Sequence, residues 1–211
     1  KAYTGRTEYY SDPRNNILGG LAGRITEVPA DVTMELINFA GSMPGADDED
    51  SYGSGAYNFN RLIRDANLTP DNLRTLAARA SETSLSNIMV NRNASDDLKQ
   101  EIFAKIEGFK NSTAQRAVYL QAIKGGKITV DQMKVGLSKH PGLIYSILSD
   151  PASSAELSGD LIRTMTPEDV RQLKQMMDLP NMPPDYAVAC IEKMWGKIKK
   201  YDLYEIIKSA P

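Results

Sequence analysis

The sequence repeats one short pattern three times, as Thr69-Pro-Asp-Asn-Leu73, Thr129-Val-Asp-Gln-Met133 and Thr166-Pro-Glu-Asp-Val170. Each copy begins with a hydroxyl group that accepts a hydrogen bond from a backbone N–H, and a carboxylate and an apolar residue follow it. These are the features of a helix N-terminus. In two copies proline follows the hydroxyl residue, at a position where the helix needs no N–H. The pattern therefore predicts a short helix at each copy.

Looser copies of the pattern begin at Ser95, Ser154 and Pro183. Between them, apolar residues recur at spacings of three and four, which is typical of helices with one buried face. The alternation of β-branched and aromatic residues that marks strands is essentially absent. The sequence predicts an all-α fold, an irregular array or bundle of about a dozen short helices near the mean helix length.

The chain of 211 residues has 41% hydrophobic and 25% charged residues, which is ordinary for a globular domain. A formal net charge of -2 gives no overall attraction to nucleic acid or to an anionic membrane. The single cysteine, Cys190, excludes an internal disulfide. No signal peptide or transmembrane segment is visible, so we expect a protein of the cytoplasm or of a large assembly.

The first 25 residues differ from the rest, because they alternate basic residues with tyrosines and end in a glycine-rich stretch. We interpret 1–25 as an extended N-terminal arm and 26–211 as a single all-helical domain. Such an arm is either a loose terminus or a segment that orders on a partner, and tyrosine and arginine are favoured anchors at interfaces. The candidate partner-binding residues of the arm are Tyr3, Arg6, Tyr9, Tyr10 and Arg14.

A long acidic and glycine-rich loop is predicted at 41–56. A loop of this length inside a compact domain is either functional or a solvated connection. Consecutive acids in one short run do not easily surround a single cation, so a role in protein binding is the preferred functional interpretation. Its candidate residues are Asp47, Asp48, Glu49, Asp50 and Tyr52.

The stretches Arg64-Asp-Ala-Asn-Leu-Thr-Pro-Asp-Asn-Leu73 and Asn91-Arg-Asn-Ala-Ser-Asp-Asp-Leu98 look alike, and 149–157 and 178–186 are similar to them. Over about 64–195 the chain resembles the turn-and-helix units of variant leucine-rich and HEAT-like helical repeats. The resemblance implies stacked helix pairs that bind other proteins along a concave side. The helix starts are unevenly spaced, which favours an irregular array over a regular solenoid and leaves a compact bundle open.

No pattern in the sequence indicates catalysis, a metal or a cofactor. His140 is the only histidine and precedes Pro141 at a predicted helix end, where a turn residue or a cation at the helix terminus accounts for it. Cys190 lies among apolar residues of a helix and is interpreted as a buried apolar group. The stretch 125–133 offers almost no carboxylates for calcium, and neither glycine-rich stretch has the ending of a phosphate-binding loop.

A basic segment near the C-terminus is a candidate anion-binding surface. Lys193, Lys197 and Lys200 have helical spacing, with Lys199 nearby, opposite an apolar face that includes Trp195. A basic amphipathic helix can lie on a phosphate backbone or a membrane surface. The alternative is a terminal helix that docks by its apolar face and leaves the lysines in solvent.

The sequence as a whole favours a non-enzymatic interaction protein, a helical scaffold that docks through its arm and acidic loop. Its partners would be proteins, including further copies of itself in a larger assembly such as a virion or a secretion machine. A nucleic-acid-associated protein that uses the basic C-terminal helix is the first alternative. An enzyme with a site of scattered carboxylates is the second alternative.

Overall fold

The structure, a computed structural model, describes residues 20, 25, 28–42 and 54–209. These residues form thirteen α-helices and two short 3₁₀ helices, and no strand is found among them. The predicted all-α fold is confirmed. Apart from residues 20 and 25, the predicted arm lies outside the described residues, as do residues 43–53 of the acidic loop. The ends of that predicted loop are wrong, because Gly41 and residues 54–56 belong to the flanking helices.

The chain divides into two compact units, Lys1–Val118 and Tyr119–Pro211. In the described part of the first unit, the helices are Ala30–Gly41, Ser54–Asp65, Pro70–Ala77, Glu82–Val90 and Asp96–Ala104, followed by the 3₁₀ helix Ile106–Gly108. The helix Ser112–Lys124 contains the boundary between the units. The single domain 26–211 stays a prediction.

Seven α-helices lie wholly in the second unit. They are Val130–Lys139, Leu143–Leu148, Pro151–Ala155, Gly159–Ile162, Val170–Met177, Pro184–Met194 and Lys200–Ser209, and the 3₁₀ helix Trp195–Lys197 lies between the last two. Their lengths range from 4 to 11 residues. Short helices of this kind gain most of their stability from packing of an apolar face rather than from intrinsic propensity.

The capping pattern correctly places several helix starts. Thr69 Oγ1 accepts a hydrogen bond of 3.2 Å from Asn72 N, and Ser95 Oγ accepts one from Leu98 N. At Thr129 a full capping box forms, in which Gln132 Oε1 also accepts from the Thr129 N–H. These local contacts satisfy backbone N–H groups that the helix itself leaves unpaired.

Two of the predicted starts are wrong. The helix expected at Thr166 begins at Val170, because Asp169 is the residue that caps it, at 2.7 Å from Gln172 N. The helix expected at Ser154 begins earlier, because the Asp150 side chain accepts from Ala152 N. In both cases a carboxylate competes with a hydroxyl a few residues away, and the carboxylate caps the helix.

A buried asparagine joins two helix ends in the first unit. The Asn91 side chain is fully buried, and its Nδ2 donates to Ile63 O at 2.7 Å and to Ala66 O at 3.0 Å. Its Oδ1 accepts from Asn93 N at 3.0 Å. Because Ile63 belongs to the last turn of Ser54–Asp65, Asn91 satisfies a carbonyl that the helix leaves without an intrahelical partner.

The core of the second unit is rich in methionine. Six methionines lie in this unit and all of them are buried, namely Met133, Met165, Met176, Met177, Met182 and Met194. Unbranched thioether side chains fill irregular gaps, which suits a core made from many short helices. Gly136 also lies directly against the Tyr119 ring in this core, since a Cβ added to Gly136 would be 2.8 Å from that ring.

No helix among the described residues is both long enough and apolar enough to cross a lipid bilayer.

Candidate functional site

The four lysines predicted to bind anions lie on three separate elements. Lys193 is in the helix Pro184–Met194, Lys197 is in the 3₁₀ helix, and Lys199 and Lys200 stand at the start of the last helix. The prediction of one continuous amphipathic helix is therefore wrong. Trp195, predicted on the apolar face, is 61% exposed. The lysines are all exposed, and Lys197 Nζ donates to Glu168 O.

The last helix, Lys200–Ser209, presents an unusual solvent face. At about 100° per residue, positions 200, 201, 204, 207 and 208 fall on one side of the helix. The exposed fractions are 75% for Tyr201, 68% for Tyr204 and 63% for Ile207. Lysines at 200 and 208 are exposed on the same side. We call this surface the lysine–tyrosine face; it consists of Lys200, Tyr201, Tyr204, Ile207 and Lys208.

The opposite side of the last helix docks on the helix Val170–Met177. Ile206 is fully buried there. Lys174 Nζ lies 2.8 Å from Asp202 Oδ1 and 5.7 Å from the centre of the Tyr201 ring. This lysine therefore holds the helix by an ion pair and also supports one tyrosine of the lysine–tyrosine face by a cation–π contact.

We expect the ion pair between Lys174 and Asp202 to make the docking of the last helix dependent on pH. The hydrogen bond from Lys174 lowers the pKa of Asp202 below its ordinary value. A lowered pKa gives a contribution to stability that is present above the unfolded pKa of about 3.9 and is lost as the pH falls through the folded value. We expect the amide-exchange protection of the last helix to fall below about pH 4, beyond the change in intrinsic exchange rate.

The matched variants for this measurement are Asp202→Asn and Asp178→Asn. The first removes the titrating group and should abolish the pH dependence in the last helix. The second neutralises an exposed acid at the end of Val170–Met177 and should leave the dependence intact. Equal pH profiles in the native protein and in Asp202→Asn would contradict this assignment.

The ten residues predicted to bind a partner lie outside the described residues. They are Tyr3, Arg6, Tyr9, Tyr10 and Arg14 of the arm, and Asp47, Asp48, Glu49, Asp50 and Tyr52 of the acidic loop. Their roles remain predictions. Exposed Tyr201 and Tyr204 were not singled out from the sequence, although their spacing of three and their neighbouring lysines were a usable signal.

Cys190 and His140 are both buried. Burial raises the pKa of the Cys190 thiol, opposed by a hydrogen bond with Tyr186 and the charge of Lys193. The thiol is therefore held in its protonated, unreactive form. His140 is the C-cap of Val130–Lys139, and its ring centre is 6.1 Å from that of Tyr119. His140 is thus a helix-end residue, as predicted, and its side chain is in addition part of the core.

The buried thiol gives a direct prediction. In the native protein, Cys190 should react with a thiol-specific disulfide reagent much more slowly than a free cysteine at the same pH, because it is both protonated and 3% exposed. In urea the reaction should become as fast as that of a free cysteine. Rapid reaction of the native protein would contradict the assigned burial of the helix Pro184–Met194.

The first unit contains a cavity of about 370 Å³ that the sequence did not indicate. Three stretches of chain converge on it, and its lining residues are Ile37, Asn38, Gly41, Ser42, Phe59, Ile63, Leu76, Arg79, Ala80 and Ser84. Arg79 Nη2 donates to Asn38 Oδ1 at the cavity. Among these described lining residues there is one cation and no carboxylate.

Among the residues that the structure describes, no group of three or more His, Cys, Asp or Glu side chains comes together as a metal site would require. No protein-family model matches the chain, and neither a curated protein nor a solved structure is significantly similar to it.

Proposed function

We propose that this protein is a non-enzymatic interaction protein, a helical body that docks an acidic surface of a partner protein on its lysine–tyrosine face. The observation that carries the proposal is the exposure of two tyrosines and an isoleucine on one side of the last helix. Tyrosine supplies large contact area at a low cost in conformational entropy, and it is common among the residues that dominate binding energy.

The charge around this face supports an acidic partner. Between 193 and 208 the chain carries five lysines and two carboxylates, and one of these carboxylates is already paired with Lys174. The net charge of this segment is thus positive although the chain as a whole is slightly acidic. Such a patch steers an acidic surface toward the tyrosines. The predicted arm at 1–25 and acidic loop at 41–56 are proposed as further docking elements of an assembly subunit.

The proposal is tested by affinity capture from the source lysate with the double variant Tyr201→Ala/Tyr204→Ala. Its matched control is Tyr57→Ala, which removes a 64% exposed tyrosine from the first unit. We expect proteins retained by the native chain and the control to be lost from the double variant. Charge reversal in Lys200→Glu/Lys208→Glu should have the same effect if the partner is acidic. Equal retention by all four proteins would contradict the proposal.

Nucleic acid is the second candidate, favoured by the same combination of lysines with exposed aromatic rings. Proteins that bind single strands use a basic surface together with aromatic side chains on which bases stack. Trp195 is the only tryptophan and lies exposed within the segment 193–208, so its fluorescence should be quenched by a bound strand. Quenching by an oligothymidylate that weakens steeply with salt, and is lost in Tyr201→Ala/Tyr204→Ala, would favour this candidate over a protein partner.

A further inference from the structure

The cavity of the first unit joins an apolar interior to a cationic opening. Ile37, Ile63 and Leu76 line it and are almost completely buried, and the Phe59 ring adds an aromatic wall. A volume of about 370 Å³ lies within the range of about 300–1,000 Å³ typical of small-molecule sites. The interior therefore suits a compact apolar group.

The opening carries the cationic guanidinium of Arg79 and the neutral amide of Asn38. Arg79 and Asn38 are both exposed there, and no carboxylate of the described residues pairs with the Arg79 guanidinium. Arg79 gives one N–H to the Asn38 carbonyl, and its guanidinium carries further N–H donors. The Asn38 amide nitrogen is a second donor beside it. A guanidinium with adjacent donors matches the two oxygens of a carboxylate.

From this arrangement we propose that the first unit binds a small organic acid in the cavity. The apolar body of the acid lies against Ile37, Phe59 and Leu76, and its carboxylate receives hydrogen bonds from Arg79. The charge of the described lining residues favours this ligand class, because they offer one cation and no acid. A neutral molecule of the same shape would leave the guanidinium without a charged partner, and a cation would be repelled.

The test uses phenylbutyrate and its neutral amide, phenylbutyramide, which differ only in the charge of the head group. Each is titrated into the full-length, isotope-labelled protein while the backbone amide resonances are followed. We expect phenylbutyrate to shift the resonances of residues that line the cavity. Phenylbutyramide should bind about tenfold more weakly or worse, as expected for loss of a charge-assisted hydrogen bond.

Arg79→Gln is the variant that isolates the guanidinium, and Arg92→Gln is its matched control. Both arginines are exposed residues of the first unit, and Arg92 does not line the cavity. Affinity for phenylbutyrate should fall about tenfold in Arg79→Gln and stay unchanged in Arg92→Gln. Equal binding of acid and amide, or equal binding by the two variants, would overturn the proposal. Cavity resonances that shift with protein concentration alone would assign the cavity to a second copy of the chain and would also overturn it.

Discussion

Replacing Asn91 with alanine is expected to lower the free energy of unfolding by about 3 kcal/mol. The buried amide of Asn91 donates to the carbonyls of Ile63 and Ala66 and accepts a partly buried hydrogen bond from the N–H of Asn93. Alanine removes all three hydrogen bonds. A buried polar group without a partner costs about 1–3 kcal/mol, and the lost side-chain volume adds to that cost.

The measurement is urea denaturation followed by far-ultraviolet circular dichroism. Arg92→Ala is the control, because Arg92 is the exposed neighbour of Asn91 in the same turn, and a surface change of this kind is usually within about 0.5 kcal/mol of the native protein. Asn91→Leu restores most of the volume without the hydrogen bonds, so it should remain strongly destabilised. A loss of less than about 1 kcal/mol in Asn91→Ala would show that these hydrogen bonds add little to stability.

Gly136→Ala should destabilise the second unit by about 2–3 kcal/mol, although the same change in an ordinary helix adds about 1 kcal/mol. Gly136 is buried within Val130–Lys139, and an added Cβ would lie 2.8 Å and 2.9 Å from two atoms of the Tyr119 ring. That ring is only 1% exposed, so it has little room to move away. The steric cost therefore exceeds the gain in helix propensity.

Gly142→Ala is the matched control, because there we expect the replacement of glycine with alanine not to lower stability. Gly142 precedes the next helix with φ -65°, which alanine adopts freely, and nothing lies within 4 Å of the position of its Cβ. This variant should be neutral or stabilised by about 0.4–1 kcal/mol. Urea denaturation of both variants checks the pair. A Gly136→Ala protein as stable as Gly142→Ala would contradict the close packing of Tyr119.

The sequence predicted those features of the structure that depend on contacts between residues close together in the chain. The all-α fold and the caps at Thr69, Ser95 and Thr129 follow from backbone N–H groups that find partners within three residues. The helix start predicted at Thr166 was wrong, because tertiary packing as well as the capping side chain determines where this helix begins. Pro167 is buried, and Asp169 then caps a helix that begins three residues after Pro167.

The candidate sites were harder to predict, because they depend on which side of a helix is left uncovered. The spacing placed Trp195 on an apolar face, but a 3₁₀ turn interrupts the helix at this residue and leaves the ring in solvent. The cavity beside Arg79 had no signal in the sequence. Its lining comes from three separate stretches, 37–42, 59–63 and 76–84, which only the packing of helices brings together.

The methionine-rich core has a consequence for the chemical durability of the second unit. Oxidation of a thioether to the sulfoxide turns a flexible apolar side chain into a polar one and disrupts cores. All six methionines of this unit are closed to solvent in the folded chain. Their exposure to peroxide therefore depends on how often the unit opens, and each oxidised side chain would make closing again less favourable. Under oxidative stress, brief openings would accumulate as permanent damage in this unit until a reductase repairs the sulfoxides.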